Sequence, residues 1–258
     1  MKKVGIISDT HCIFPDIVKT FLADVDEIWH LGDIYSQGCF DSINNFREIT
    51  HAVKGNWDNT EDLSLVDSFS FEGKKIFMIH KGLLWKDGKR EFYNGVWEQI
   101  REDVPNIILY GHTHYFDYAT MIDLIPLVNK RVLVINPGAV SPLFHERGSC
   151  VKLTFENSLL RDVSRLSYDC PTVRLKFNGV EEYGEQCLIP SLYKSDRDTS
   201  LPFFEQREIL VERPLNVRVE KVFAEDWRDG AHLEFPRKLD AKTLNPWQMK
   251  IEVTPRSK

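Results

Sequence analysis

Seven side chains with oxygen or imidazole donors fall in five short, ordered clusters in the first half of this chain: Asp9 with His11, Asp33, Asn56, His80, and His112 with His114. A carboxylate such as Asp33 can bridge two divalent ions, while imidazoles and a side-chain amide oxygen complete two shells without neutralising all the positive charge. The charge left over would hold a phosphate and acidify a water. With ions about 3.5–4 Å apart, a bridging water becomes hydroxide near neutral pH and is aimed in line at phosphorus. Hydrolysis of a phosphate ester is the reaction this serves. Mixed oxygen and nitrogen donors without thiolate suit manganese, iron, zinc, cobalt or nickel better than calcium. The expected cofactor is therefore two divalent metal ions per chain, with manganese placed first.

Elements that could position these residues are legible on either side of each cluster. Val4 to Ser8 is an apolar run of strand length ending at Asp9, and Ile17, Val18, Phe21 and Leu22 follow at helical spacing after Pro15-Asp16. Glu27 to Leu31 reads as a second strand ending at Gly32-Asp33, with Phe40, Ile43 and Phe46 marking the next helix. Ile49 to Val53 leads into Gly55-Asn56-Trp57-Asp58 as a third strand and turn. Phe69 to Phe71 and Ile76 to Ile79 form a hairpin ending at His80, a helix is expected across Arg90 to Glu102, and Ile107 to Tyr110 delivers Gly111-His112-Thr113-His114. Ligand clusters at strand C-termini are what an open α/β sheet offers, since sites gather beyond the strand ends.

From residue 115 to 166 short strands succeed one another with little helix: Ala119 to Ile122, Arg131 to Ile135, Ser149 to Phe155 and Leu159 to Val163. That pattern predicts a second, mostly antiparallel sheet packed on the first. Beyond Asp169-Cys170-Pro171, Val173, Leu175 and Phe177 alternate with charged residues, and Ile209 to Val211, Val217 to Val222 and Lys250 to Val253 are further strand candidates. The expected division is residues 1–166 as one domain and 167–258 as a β-rich C-terminal extension, itself a route to a homo-oligomer.

Composition narrows the partners. Residues 1–170 carry 18 Lys and Arg against 24 Asp and Glu, and residues 171–258 carry 15 of each, a balance that argues against a dedicated duplex nucleic-acid binder, which would need a basic face. A small phosphate ester is compatible, because the metals would meet its charge. No stretch approaches the roughly 18 apolar residues of a membrane span, and the run after Met1-Lys2-Lys3 is too short for a secretory segment. Five cysteines, an odd number without paired spacing, predict reduced thiols and a cytoplasmic location. On that reading Cys12 is a small buried filler.

Asp9-Thr10-His11, Gly32-Asp33, Gly55-Asn56-Trp57-Asp58, His80 and Gly111-His112-Thr113-His114 resemble the signature of the calcineurin-like metallophosphoesterases, in the family's order and approximate spacing. The short connections and Asn136-Pro137-Gly138 resemble the small prokaryotic phosphodiesterase branch in particular. The resemblance covers residues 1 to about 166 and implies a four-layer αββα sandwich. It assigns one metal to Asp9, His11, Asp33 and His114 and the other to Asp33, Asn56, His80 and His112. It implies catalytic roles for Asp33, Asn56 and His112, the last two closest to the phosphate.

Two departures from the family pattern bear on the reaction. Phosphatase branches have a histidine after the Gly-Asn pair that can protonate the leaving oxygen; here the residue is Trp57, and indole cannot supply that proton. This tilts the expectation toward phosphodiesters, with a phosphomonoesterase or nucleotide phosphatase as the alternative. Trp57 either stacks on the substrate or packs over the metals and excludes water. Lys81 follows His80 where the family commonly has glycine, and is either a cation for the phosphate or a solvated loop residue. Outside enzymes, the alternative is a binding scaffold on this fold, as in the retromer subunit, whose ligand set is degraded whereas every position here is filled. His30, His51 and His145 read as structural or surface histidines, because both metal shells are full without them.

Overall fold

Val4 and Ile6 point to one side of the first strand and Ile7 to the other, and all three are fully buried, so that strand must be covered on both faces. The computed structural model shows how. It describes residues 1–58, 61–86, 89–93, 95–121, 132–141, 147–169, 172–177, 180–185, 207–211 and 215–224. In chain order the elements are β1 (Lys2–Ile7), α1 (Asp16–Phe21), β2 (Glu27–His30), α2 (Gln37–Phe46), β3 (Ile49–Ala52), β4 (Val66–Phe71), β5 (Lys74–Ile79), β6 (Leu83–Lys86) and β7 (Lys89–Phe92). There follow α3 (Val96–Ile100), β8 (Ile107–Tyr110), β9 (Phe116–Met121), β10 (Val132–Pro137), β11 (Arg147–Glu156), β12 (Leu159–Asp169), β13 (Thr172–Phe177), β14 (Val180–Glu185), β15 (Arg207–Val211) and β16 (Leu215–Ala224).

Two mixed sheets carry the architecture. The first has strand order β16-β12-β11-β1-β2-β3 and the second β4-β5-β8-β10-β9. Between them lies a core built from one face of each: Val4, Ile6, Trp29 and Leu31 from the first, Ile76, Met78, Ile107, Leu109 and Ile135 from the second. Outside the first sheet, Ile7, Ile28, Cys150 and Leu166 pack against Val18, Leu22 and Ile43 from the α1 and α2 regions. Outside the second, Phe77, Ile108 and Val134 pack against Val96 and Ile100 of α3. The order is helix, sheet, sheet, helix. Each apolar side chain fully buried in these layers contributes about 1.5–3 kcal/mol relative to exposure. Ser36 caps α2 by accepting from the backbone of Cys39, a contact worth about 1 kcal/mol.

Two expectations change. The strands after residue 115 do not make a sheet of their own: β9 and β10 join the second sheet, while β11 and β12 extend the first beside β1. Strand pairing here is decided by which face each strand must bury, and residues far apart in sequence settle it. The helix expected across 90–102 is replaced by a β6–β7 hairpin and the short α3. Asp87-Gly88, a strong hairpin turn signal, stands between those strands in the sequence. β16 pairs antiparallel with β12, so a strand from beyond residue 166 completes the edge of the first sheet. β13, β14 and β15 form a separate three-stranded sheet. The strand expected at 250–253 lies outside the described residues. Among the described residues no helix is long and apolar enough to cross a membrane.

Candidate metal centre

Strands from both sheets end at one place. Loops after β1, β2 and β3 bring Asp9 and His11, Asp33, and Asn56; loops after β5 and β8 bring His80, and His112 with His114. The backbone there is left-handed at five of these seven residues: φ is 50° at Asp9, 43° at His11, 58° at Asp33, 68° at His112 and 62° at His114. Such positions cost of order 1–3 kcal/mol each and persist only when their surroundings hold them. Backbone bonds between loops do so: Asp9 N donates to Gly32 O at 3.0 Å, His11 N to Asp33 O at 3.0 Å, and Gly111 N to His80 O at 3.0 Å. Gly55 and Gly111 permit the close approach, since a Cβ on the first would overlap Asp33 and on the second Ser8.

The ligand atoms of Asp9, His11, Asp33 and His114 all lie within 4.8 Å of one another. His114 Nε2 is 3.2 Å from Asp9 Oδ1, and His11 Nε2 is 3.9 Å from Asp33 Oδ2. His80 Nε2 is 3.2 Å from Asp33 Oδ2 and 3.1 Å from Asn56 Oδ1. The His112 ring stands 5.2 Å from the His80 ring, and its backbone N donates to Asp9 Oδ2 at 3.1 Å. All seven residues singled out in the sequence therefore converge, with Asp33 Oδ2 facing both His11 and His80. Asp9 Oδ1 and Asp33 Oδ2 are sealed from solvent and receive no aligned hydrogen bond; each faces an imidazole nitrogen instead. Buried carboxylate oxygens left in that state, among imidazoles, suit a divalent cation.

Electrostatics point the same way. Burial would raise Asp9, but His114, His80 and His11 hold it well below the usual carboxylate range. Asp33 is likewise lowered against its burial, chiefly by His80. Burial opposes charge on His80 too, yet Asp33 and Asp9 push it up to about 9. His11 is brought down to about 4 by burial, and His112 to about 4 by burial together with the charges of His80 and Lys81. The two buried carboxylates and the surrounding imidazoles would hold a divalent cation, which would need His80 as the neutral imidazole. His80 Nδ1 lies 2.7 Å from Leu31 O, which leaves Nε2 facing the site.

Several residues support the site through contacts that the sequence reading did not assign. Asp58 accepts from Asp33 N at 2.9 Å, Gly55 N at 2.7 Å and Tyr35 N at 2.7 Å, tying two ligand loops with one buried carboxylate. Ser8 Oγ donates to Asp9 Oδ2 at 2.5 Å. Asn136 Nδ2 donates to Gly111 O and Thr113 Oγ1, both at 2.9 Å, fixing the loop that carries the two last histidines. Tyr93 sets its ring 5.8 Å from His112. Trp57, half-buried, turns its ring edgewise toward His11 at 6.3 Å and donates its backbone N–H to Asp33 Oδ1 at 2.8 Å. Lys81 is exposed. His30 is structural, accepting from Gly32 N at 3.1 Å with its Nε2 3.0 Å from Thr10 Oγ1; His51 stacks on Phe69 and reaches Asp67. His145 lies outside the described residues.

One expectation is overturned beside the centre. Cys12 is not a reduced filler: it is joined by a disulfide to Cys39, with Cα atoms 5.0 Å apart. The partners are 27 positions apart in sequence, so only the fold reveals them. Among the described residues Cys150 is a free, buried thiol. The inference from cysteine count to a cytoplasmic location loses its footing. A cavity of about 540 Å³ is lined by Ile34, Tyr35, Ser36, Gln37, Phe40 and Asp58, the last of which accepts from Asp33 N.

Comparison with known proteins adds to this geometry. The model of the calcineurin-like phosphoesterase superfamily domain matches residues 1–158. The chain is similar to phosphodiesterase MJ0936 of Methanocaldococcus jannaschii, 26% identical over 155 residues that span 53% of this chain and 82% of that protein. Among solved structures, Vps29 of Chaetomium thermophilum superposes with a TM-score of 0.51 at 14% identity, covering 71% of this chain and 95% of its own. A Vps29 double mutant from Entamoeba histolytica gives 0.50 at 18% identity, covering 70% and 97%. At those identities the structures speak to the fold alone, and the four layers seen here agree with them. With the matched domain spanning all seven converged side chains, the chain belongs to the calcineurin-like phosphoesterase superfamily.

Proposed function

We propose that this protein is a phosphodiesterase working with two divalent metal ions, manganese first among them. Asp9, His11, Asp33 and His114 would hold one ion, and Asp33, Asn56, His80 and His112 the other. When bound, the ions supply positive charge for the phosphoryl oxygens and lower the pKa of water. The observation that carries this reading is the convergence of Asp9, His11, Asp33 and His114 within 4.8 Å in a chain of a metal-dependent family. We read residues 1–166 as the catalytic unit and 167–258 as its extension.

The chain's own residues divide the remaining work. Asn56 is exposed and His112 half-buried, so both stand at the solvent side, where a phosphate would approach and accept their hydrogen bonds. Trp57 covers His11 and has no proton to give a leaving oxygen, which favours esters whose leaving group departs unaided. The 540 Å³ cavity lined in part by Asp58, which holds the Asp33 loop, offers room for one ester arm, with Ile34 and Phe40 as apolar wall. The similarity to phosphodiesterase MJ0936 supports the diester over the monoester.

The test is twofold. Elemental analysis of the purified protein should give about two ions per chain, and an aryl phosphodiester should be cleaved in preference to its monoester analogue. Preference for the monoester would move the protein to the phosphatase reading. A second reading, a binding scaffold, draws on the Vps29 likeness in fold; a metal-free, inactive but folded protein would select it.

A further inference from the structure

The Cys12–Cys39 disulfide stands in a particular place. Cys12 directly follows His11 on the loop that also carries Asp9, and Cys39 lies in the first turn of α2, at the end of the segment that leaves Asp33. One covalent bond therefore joins the two loops that present three of the four clustered ligands. Both loops contain left-handed residues, with φ of 62° at Cys12 and 91° at Tyr35 besides the ligands themselves. Between the loops the disulfide acts beside three backbone hydrogen bonds, Asp9 N to Gly32 O and His11 N to Asp33 O at 3.0 Å and Cys12 N to Ile34 O at 3.3 Å. The pair is also within reach from outside: both cysteines are half-buried, and Gln37 and Gly38 beside Cys39 are exposed.

We propose that Cys12–Cys39 is a redox-modification site, open to exchange with dithiols, and that its oxidation state sets how tightly the metal centre holds its ions. In the reducing direction a thiolate of the dithiol attacks one sulfur of the pair and expels the other as a thiolate, which takes up a proton. The second thiol of the reagent then closes its own disulfide and releases the remaining cysteine. Two electrons and two protons pass to the protein, and the dithiol leaves oxidised. Reduction frees the Asp9–His11 loop from α2, and its strained backbone then relies on hydrogen bonds alone to keep His11 and Asp33 facing one another. Supports of this kind around metal ligands typically carry about 10–100-fold in affinity.

The inference rests on the metal reading of the site, and its test separates the two. The full-length protein is prepared oxidised, then reduced with a small dithiol and desalted without oxygen, with thiols counted by alkylation and mass spectrometry. Each form is titrated with Mn²⁺, chosen because thiolates bind it poorly and cannot substitute as ligands. The oxidised protein should bind Mn²⁺ at least about tenfold more tightly than the reduced, with recovery on reoxidation. Cys39→Ser and Cys39→Ala, which keep the Ser36 cap on the backbone, should match the reduced protein and ignore the dithiol. Equal affinity in forms that differ by two alkylated thiols overturns the redox role and leaves the metal centre standing. Absence of Mn²⁺ binding in both forms overturns both readings.

Discussion

Asp33 stands between the two ligand groups, near His11 on one side and His80 on the other, and its Oδ1 takes the backbone N–H of Trp57. Replacing its charge disturbs everything that depends on both groups at once. Asp33→Asn should lower turnover by at least roughly a hundredfold, the scale of lost electrostatic stabilisation. Near-normal turnover in a folded, metal-loaded variant would remove Asp33 from the mechanism. Trp57 decides a different quantity. With no proton donor at that position, rates on a series of aryl diesters should fall steeply as the leaving group becomes more basic, and Trp57→His should flatten the slope and raise monoester hydrolysis. An unchanged slope and an unchanged diester preference would show that this position does not select the reaction. Both residues were legible in the sequence because motif spacing fixes them. Asp58 was named there without a role, since three backbone donors from Asp33, Tyr35 and Gly55 become visible only once the loops are folded against each other.

At the scale of elements, the site depends on loops that end β1 and β2, and His30 joins them through Gly32 and Thr10. Full burial brings its imidazole down to about 3 from the ordinary 6.5. Because the folded value lies below the unfolded one, the unfolded chain takes up the proton first as pH falls. The stability contributed by neutral His30 is therefore complete above about 6.5 and is lost progressively toward pH 3. Denaturant titrations of metal-free protein across that window should show His30→Gln losing about one proton from the pH slope. A slope identical to the parent would mean His30 is already protonated in the fold. The strands that deliver ligands were readable because each is a short apolar run with a polar ligand at its end. Their distribution between two sheets was not, nor was the β6–β7 hairpin in place of the longer helix: pairing partners such as β1 with β11 are remote in sequence, and Val96, Trp97 and Ile100 supply helical spacing whether or not the preceding residues follow.

For the whole molecule, the seven converged residues all precede Tyr115, while β16 reaches back from beyond residue 214 to pair with β12. Val217 and Val219 pack on the outer cluster of the first sheet, against the same core that holds Ile7 and Val18. The C-terminal region thus covers a sheet edge and part of an apolar face, and supplies none of the candidate ligands. Ending the chain after Asp169 removes that cover. It leaves β12 as an open edge, its backbone groups available to another copy, so the shortened protein should melt at lower temperature and self-associate. Metal binding should persist in the folded fraction, because all seven candidate ligands lie on the loops after β1, β2, β3, β5 and β8. Elemental analysis alongside size-exclusion mass measures both effects in one preparation. A soluble, monodisperse fragment that has lost one or both ions would place part of the site in the extension, and would replace the division at residue 166 with a single catalytic unit running through β16.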